Sequence, residues 1–504
     1  MITYLLYELL PVWLTKLGQI ARESLLYRLL ANAWGFCAEL VRQSLCARLW
    51  NGSEALRARI EGSRPFAWFD AFLRWLTQFA GKAFGWVIDP VCSSRLVTSA
   101  CRMPRFNLGW LFGGLFLIMY LVPGESWNNL FALAFSCLVF LAMLLDAWNR
   151  RETAFRARDL GVSLLIFLFA VCLSLVFAND RREAIRVLFF YVTAVLFCFS
   201  LVGTVTNRGR LMAILGFIYL ALVLTGVCAI LQRLQGVEVS AAQTDLKLNA
   251  GMPGRVYSTM ENPNNYAEFI VLTFPVSLVF CMGIVDRRWR TLCMASLAVP
   301  VAALLMTYSR SGWVSFALAA VVFLALWDKR LLPLVALAGV IALPILPDSI
   351  FNRILTIGST ADSSNMYRVY IWTAGLQMLR DHGLTGIGLG ASNFISTYAD
   401  YCLPQATRAA HSHMIYMEVW LEMGLTGLIG FLGMYLGAIR RAVRSLRHAD
   451  SMLRRVLIAC ASSLVGISFQ GAAEYIWFYP RVMFAFFILL GITLSAVKLA
   501  DESK

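Results

Sequence analysis

A chain of 504 residues, 59% hydrophobic and only 14% charged, with a mean hydropathy of +0.68, is too apolar for a water-soluble globular fold. Its net charge of +15 comes with no RNA- or DNA-binding motif, so it points to anionic lipid headgroups at a membrane surface and away from nucleic acid. Most of the twelve cysteines fall inside apolar runs and none forms a CxxC pair, which argues against a disulfide framework or a zinc site.

Residues 1–107 carry 13 Lys or Arg against 7 Asp or Glu, many Trp and Phe, and apolar stretches broken every few residues by charge. The opening "MITYLLYELLPVWLTKLGQIARES" lacks the basic start, unbroken core and small-residue cleavage site of a secretory signal. The pattern predicts amphipathic helices on the cytoplasmic leaflet, serving as an anchor or as a platform for a cytoplasmic partner. "SLLYRL" at 24–29 returns as "SLCARL" at 44–49, a hint of a short repeat.

From residue 108 onward the chain reads as one all-α polytopic membrane domain, 108–504. Crossing the hydrocarbon takes about 20 apolar residues, and long all-apolar runs contradict the alternation of barrel strands. Twelve runs qualify: 108–122, 127–146, 160–178, 185–203, 211–232, 263–284, 290–307, 311–327, 330–346, 414–438, 455–471 and 481–499. One set of alternate loops holds 17 Lys or Arg in 46 residues, the other 12 in 124. The positive-inside rule therefore puts both termini in the cytoplasm and the long loop 347–413 outside.

That loop is too long for a simple connector. Ser364 and Asn365 offer N-cap oxygens, "MYRVYIWTAGLQMLRD" has helical spacing, and Gly383 can end the helix in a left-handed turn. "GIGLGA" at 386–391 formally satisfies the dinucleotide glycine pattern, but without a preceding strand in a βαβ unit it is not read as one.

Arginines on the outer side oppose the charge rule, and each needs a negative or watery partner. Arg310 lies in the short turn "MTYSRSGW", Arg255 just ahead of a helix start marked by Asn262 and Pro263, and Arg368 in the loop helix; Arg181, Arg182 and Arg186 share a third outer turn. Converging guanidinium groups suit phosphate, with which they make paired charge-assisted hydrogen bonds. The competing readings are snorkelling to lipid phosphates for Arg181, Arg182 and Arg186, and helix capping for Asn262 and Asn265. In "HSHMIYMEVWLEMG", His413 stands just before a span, and an imidazole can take a proton from a hydroxyl near neutral pH. A helix begun by residue 411 would put His411, Glu418 and Glu422 on one face; an H-x-H pair on a helix does not aim both rings at one metal.

At these residues the sequence resembles the O-antigen ligase/polymerase superfamily. The family's H-[N/S/Q]-x9-G-x-x-G signature looks like His413, Met414, nine residues, Gly424, two residues and Gly427, with Met414 departing from the usual polar residue. Its arginine before an "NPN" helix start looks like Arg255 with "ENPNN", its "SR" turn like Ser309–Arg310, and its "R…W…GxGxG" loop like Arg368, Trp372 and "GIGLG", the whole covering about residues 160–495. The resemblance implies a bacterial inner-membrane glycosyltransferase that moves a glycan from a polyprenyl (undecaprenyl) diphosphate carrier to a hydroxyl of a glycan, lipid or protein acceptor at the outer face. No metal or other cofactor is implied. His413 would be the base, Arg255 and Arg310 the diphosphate clamp, and Arg368, His411, Glu418, Glu422, Asn262, Asn265, Arg181 and Arg182 would bind or orient substrate. Chain polymerase, protein glycosyltransferase and lipid-linked glycan transporter remain the alternatives.

Overall fold

A backbone wrapped in apolar side chains can pair its amides only with itself, and the regular structure is accordingly all helical, with no strand among the described residues. The structure is a computed structural model describing residues 58–92, 107–150, 152, 156–238, 253–342, 344, 347–355, 357 and 363–503. The proposed repeat at 24–29 and 44–49 lies outside them. Helix α1 (Arg64–Cys92) is followed by α2 (Leu108–Leu121), α3 (Asn129–Asn149), α4 (Val162–Phe177), α5 (Arg181–Thr204) and α6 (Arg208–Gln235). Next come α7 (Pro263–Gly283), α8 (Arg287–Ser296), α9 (Ala298–Met306), α10 (Arg310–Asp328) and α11 (Leu332–Ala342). Three loop helices, α12 (Asp348–Leu355), α13 (Ser363–His382) and α14 (Ala391–Tyr398), precede α15 (Ile415–Ser445), α16 (Ser451–Gly471) and α17 (Pro480–Asp501).

Among the described residues, each predicted apolar run is largely helical. The run 290–307 is divided into α8 and α9 near Leu297, where Pro300 cannot donate to the carbonyl four residues back. Among the described residues, nine helical runs are long and apolar enough to cross a membrane, and α2 and α4 are shorter apolar helices. The difference from twelve arises at Arg310–Ile341, which counts as one run of 32 residues because a single turn, Lys329–Leu331, links α10 to α11. The chain nevertheless turns back there. Arg353 Nε donates to the Tyr308 carbonyl at 3.4 Å and Ser349 meets the Tyr308 hydroxyl at 3.1 Å, so the residues after α11 have returned to the end at which α10 starts.

The last helix is the hub. Helix α17 is buried along nearly its whole length, and α5, α7, α15 and α16 pack around it. Small residues set the approach distances, since lipid offers no hydrophobic force between helices. A Cβ on Gly466 would stand 2.9 Å from the Ser315 carbonyl, and one on Gly491 3.0 Å from that of Cys198. At the end of the bundle away from Arg310, Arg210 forks onto both Asp146 oxygens at 2.6 and 2.9 Å, tying α6 to α3. There α1 leans on α3 with Gly81 against the Trp148 ring, and Asp70 accepts from the Ala157 amide at 2.9 Å. Its other side exposes Trp68, Phe72, Trp75, Phe79 and Trp86.

In the long loop, the predicted helix forms but begins at Ser363, which puts Ser364 and Asn365 inside its first turn instead of at the cap. Gly383 closes the helix by donating to the Leu379 carbonyl at 3.0 Å, and left-handed backbone appears instead at Gly386, Gly388 and Gly390.

Candidate active site

The sequence places arginines in separate loops, and the fold draws those loops to one end. The segment 253–262 is laid against the end of α9 by the Val256 amide, 3.2 Å from the Met306 carbonyl. Arg255 there donates through Nε to the Thr307 carbonyl at 2.7 Å and through Nη2 to Asn264 Oδ1 at 2.7 Å. Arg310 opens α10 behind its N-cap Ser309 and reaches Asn365 Oδ1 at 3.5 Å. Arg353 lies buried against the Tyr308 carbonyl, and Arg368, on α13, pairs with Glu474. Burial, then Arg353, Arg310 and Arg368, push the Arg255 pKa below its ordinary value, while Glu474 pulls it back. Guanidinium groups gathered in this way, Arg255 and Arg353 buried and Arg310 and Arg368 partly exposed, have the chemistry to hold an anion.

The histidines arrive differently from expectation. Helix α15 starts only at Ile415, with Met414 as its N-cap, so His411 is off the helix and the face shared by 411, 418 and 422 does not form. Residues 411–413 make a turn instead. His413 takes a left-handed φ of 54°, and its amide donates to His411 Nδ1 at 3.1 Å. Trp372 Nε1 binds the Ser412 carbonyl at 2.9 Å, fixing the turn to α13 one helical turn beyond Arg368. The His413 side chain keeps 27% of its surface open, and its buried Nδ1 lies 3.6 Å from Glu474 Oε2. Burial first, then His413, push the His411 pKa down to about 3, so that ring is neutral at physiological pH.

Glu418 and Glu422 are buried and point inward, a correction to their assignment as substrate ligands. Glu418 Oε2 accepts from the Ser412 amide at 2.6 Å; Glu422 accepts from the Gly390 amide at 2.8 Å and the Tyr475 hydroxyl at 3.2 Å. Glu418 thus holds the turn that carries the histidines, and Glu422 holds the Gly390 amide and the Tyr475 hydroxyl. Asn262 is also corrected: it caps α7 by accepting from the Asn264 amide at 2.8 Å. Asn264 joins the cluster in place of Asn262 and Asn265, bridging Arg255 and Glu474, the latter at 3.0 Å. Asn265, one residue on, is turned about 100° away around the helix. Arg181 and Arg182 are exposed on the first turn of α5, and no bond among the described residues ties them to the cluster. Arg186 is spent on Glu183 at 2.6 Å.

Glu474 and Arg353 were not among the sequence candidates. Glu474 could have been noticed as the single acid in the connection 472–481, whereas Arg353 had no distinguishing signal. Arg481 shows why burial alone is a poor guide. Only 1% exposed, it donates to the Met119, Val122 and Thr259 carbonyls and clasps loop backbone.

The two-glycine signature has a structural cause. Gly424, at φ 65°, interrupts α15, and a Cβ there would collide with the Leu384 carbonyl. The break frees the Leu421 and Glu422 carbonyls, which accept from the Ile387 and Gly388 amides at 2.7 and 3.1 Å. "GIGLG" is thus a strap packed on the kink, which accounts for its glycines without a nucleotide.

The buried histidine makes acid stability testable. Because the folded pKa of His411 is depressed, the unfolded chain binds more protons from about pH 6.5 down to about 3, and stability falls as pH falls through that window. Glu474, held down to about 2, adds loss in the same direction below about pH 4.3. Melting temperature measured against pH should therefore decline less steeply between pH 6.5 and 4.5 in His411→Gln than in the wild type; parallel curves would contradict the assignment.

Residues 295–432 match the family model described as O-antigen ligase, a stretch that takes in Arg310, Arg353, Arg368, His411, His413, Gly424 and Gly427. No curated protein matches the chain. The matched stretch carries the turn, the loop and the histidine signature on which the resemblance rests, and Arg255 and Glu474 join it from outside. The chain is a multi-pass membrane protein whose residues 295–432 are similar to the O-antigen ligase family.

Proposed function

We propose that this protein transfers a glycan from a polyprenyl diphosphate carrier to an acceptor hydroxyl at the outer face of the bacterial cytoplasmic membrane. The observation that carries the reading is the convergence of Arg255, Arg310, Arg353 and Arg368 beside a partly open His413. A lipid diphosphate diester carries two negative charges and gains a third as it departs. Guanidinium groups already in place favour that gain and need no reorganisation. His413 takes the acceptor's hydroxyl proton as the oxygen attacks the anomeric carbon; the carbon–oxygen bond to the diphosphate breaks, and its electron pair leaves with the diphosphate. Attack opposite the carrier inverts the anomeric centre. The excess of Lys and Arg in the opposite loops supports placing this site outside, and the exposed aromatic stripe of α1 supports an inner-surface role for residues 1–107.

Reconstitution in liposomes with a polyprenyl diphosphate-linked glycan and a hydroxyl-bearing acceptor tests the reading. A new glycosidic bond and released polyprenyl diphosphate are expected. Movement of intact donor between leaflets, with no bond made, would support the transporter instead. Ligase and polymerase differ in the acceptor, so offering a glycan chain and a lipid acceptor separately distinguishes them.

A further inference from the structure

His413 has an unusual setting for a base. Its backbone sits in a left-handed conformation held by His411, and its ring is approached from the other side by a carboxylate. That carboxylate is Glu474, in the short connection between α16 and α17, where its amide donates to the Gln470 carbonyl at 3.0 Å. Oε1 is occupied by Arg368 and by Asn264 Nδ2. Oε2 is left toward His413 Nδ1, a buried nitrogen with no hydrogen-bond partner among the described residues, 3.6 Å away. Catalytic hydrogen bonds are often this long before substrate arrives and tighten afterwards.

Burial would raise the carboxyl's pKa, but Arg368, then His413 and His411, outweigh it and bring it down to about 2, so the group facing the imidazole is an anion. Glu474 faces the ring from the α16–α17 connection, backed by Arg368 of α13 and Asn264 of α7; neutral His411 faces it from its own turn; Glu418 of α15 is turned to the Ser412 amide.

We infer that Glu474 is the positioning residue for His413: it keeps the imidazole proton on Nδ1, leaves Nε2 bare toward the acceptor hydroxyl, and steadies the imidazolium once formed. The inference rests on His413 being the base. In the transfer step the hydroxyl proton moves to Nε2, the acceptor oxygen bonds the anomeric carbon, and the diphosphate leaves with the bonding pair. The Nδ1 proton stays where it is. Arg368 and Asn264 matter here because they fix Oε1, and so the direction in which Oε2 points.

The test compares wild type, Glu474→Gln, Glu474→Asp and His413→Ala in the same transfer assay, with kcat and KM read across pH. Glu474→Gln should lower kcat at least about tenfold with little change in KM for the donor. The acid limb of its pH profile should move to lower pH, since the anion that favours imidazolium has gone. Glu474→Asp should recover part of kcat. A Glu474→Gln variant that loses kcat with an unmoved acid limb has only a structural lesion, and that result overturns the inference while leaving His413 as base. Wild-type turnover in His413→Ala overturns both. Nitrogen-15 NMR of histidine-labelled wild type adds a check that needs no variant: His413 should be the Nδ1–H tautomer, and an Nε2–H tautomer would overturn the positioning role.

Discussion

Replacing His413 with alanine should reduce glycan transfer by about 10²–10⁴-fold, the usual share of a positioned base, with donor binding unchanged. The reasons are local. The ring is 27% exposed and packs no hydrophobic core, so its loss leaves little cavity, while the arginines that would hold the diphosphate sit on other elements. Backbone is the confounding factor, because φ at this position is 54° and alanine resists left-handed geometry. His413→Asn is the cleaner variant, since asparagine visits that region more readily. Both should be dead in transfer and present in the membrane at wild-type level. Activity within about threefold of wild type in His413→Asn would remove the histidine from the chemistry.

Arg310→Ala should lower kcat/KM for the lipid-linked donor by about 10²–10³-fold, as expected for removing one preorganised donor to a developing anion. Lysine should restore only part of it, because a point charge cannot reproduce the planar fork. The stability effect should run the other way. Arg310 is the first residue of α10, where the positive end of the helix dipole disfavours a cation, so alanine should leave the melting temperature unchanged or slightly raised. Lost transfer in an undiminished fold marks a residue kept for its ligand. A fall in melting temperature in step with activity would make Arg310 structural, as Arg481 is. Arg255 is a poorer probe, since its bonds to the Thr307 carbonyl and Asn264 also hold the loop together.

Much of the fold could be read in the sequence because lipid permits so few solutions. Among the described residues the apolar runs are largely helical, and Asn262 with Pro263 marked the start of α7 to the residue. What the sequence concealed was direction. Periodicity suggested that Glu418 and Glu422 face the site with His411, but α15 begins four residues after His411, and both carboxylates instead anchor the Ser412 and Gly390 amides. Asn262, expected both as a cap and among the substrate ligands, is a cap, and nothing local distinguished Asn264 from Asn265, because which of them meets Arg255 depends on how α7 is rotated in the bundle. Glu474 and Arg353 went unnoticed for a related reason: the partners that give them meaning, Arg368 and Tyr308, are far away in sequence.

Backbone strain points to the same end of the molecule. Among the described residues, four non-glycine residues have left-handed φ, Ser258, Glu261, Tyr308 and His413, and they lie in the segments that carry Arg255, Arg310 and His413. Such conformations cost on the order of 1–3 kcal/mol each and persist where surrounding structure enforces them, commonly at functional sites.

The most direct measurement is a cryo-electron microscopy structure of the protein with a non-transferable polyprenyl diphosphate-linked sugar in lipid nanodiscs. Diphosphate density among Arg255, Arg310, Arg353 and Arg368, with the anomeric carbon toward the open side of His413, is the expected result. Diphosphate bound elsewhere, with the arginine cluster closed on its own side chains and His413 facing protein, would contradict it.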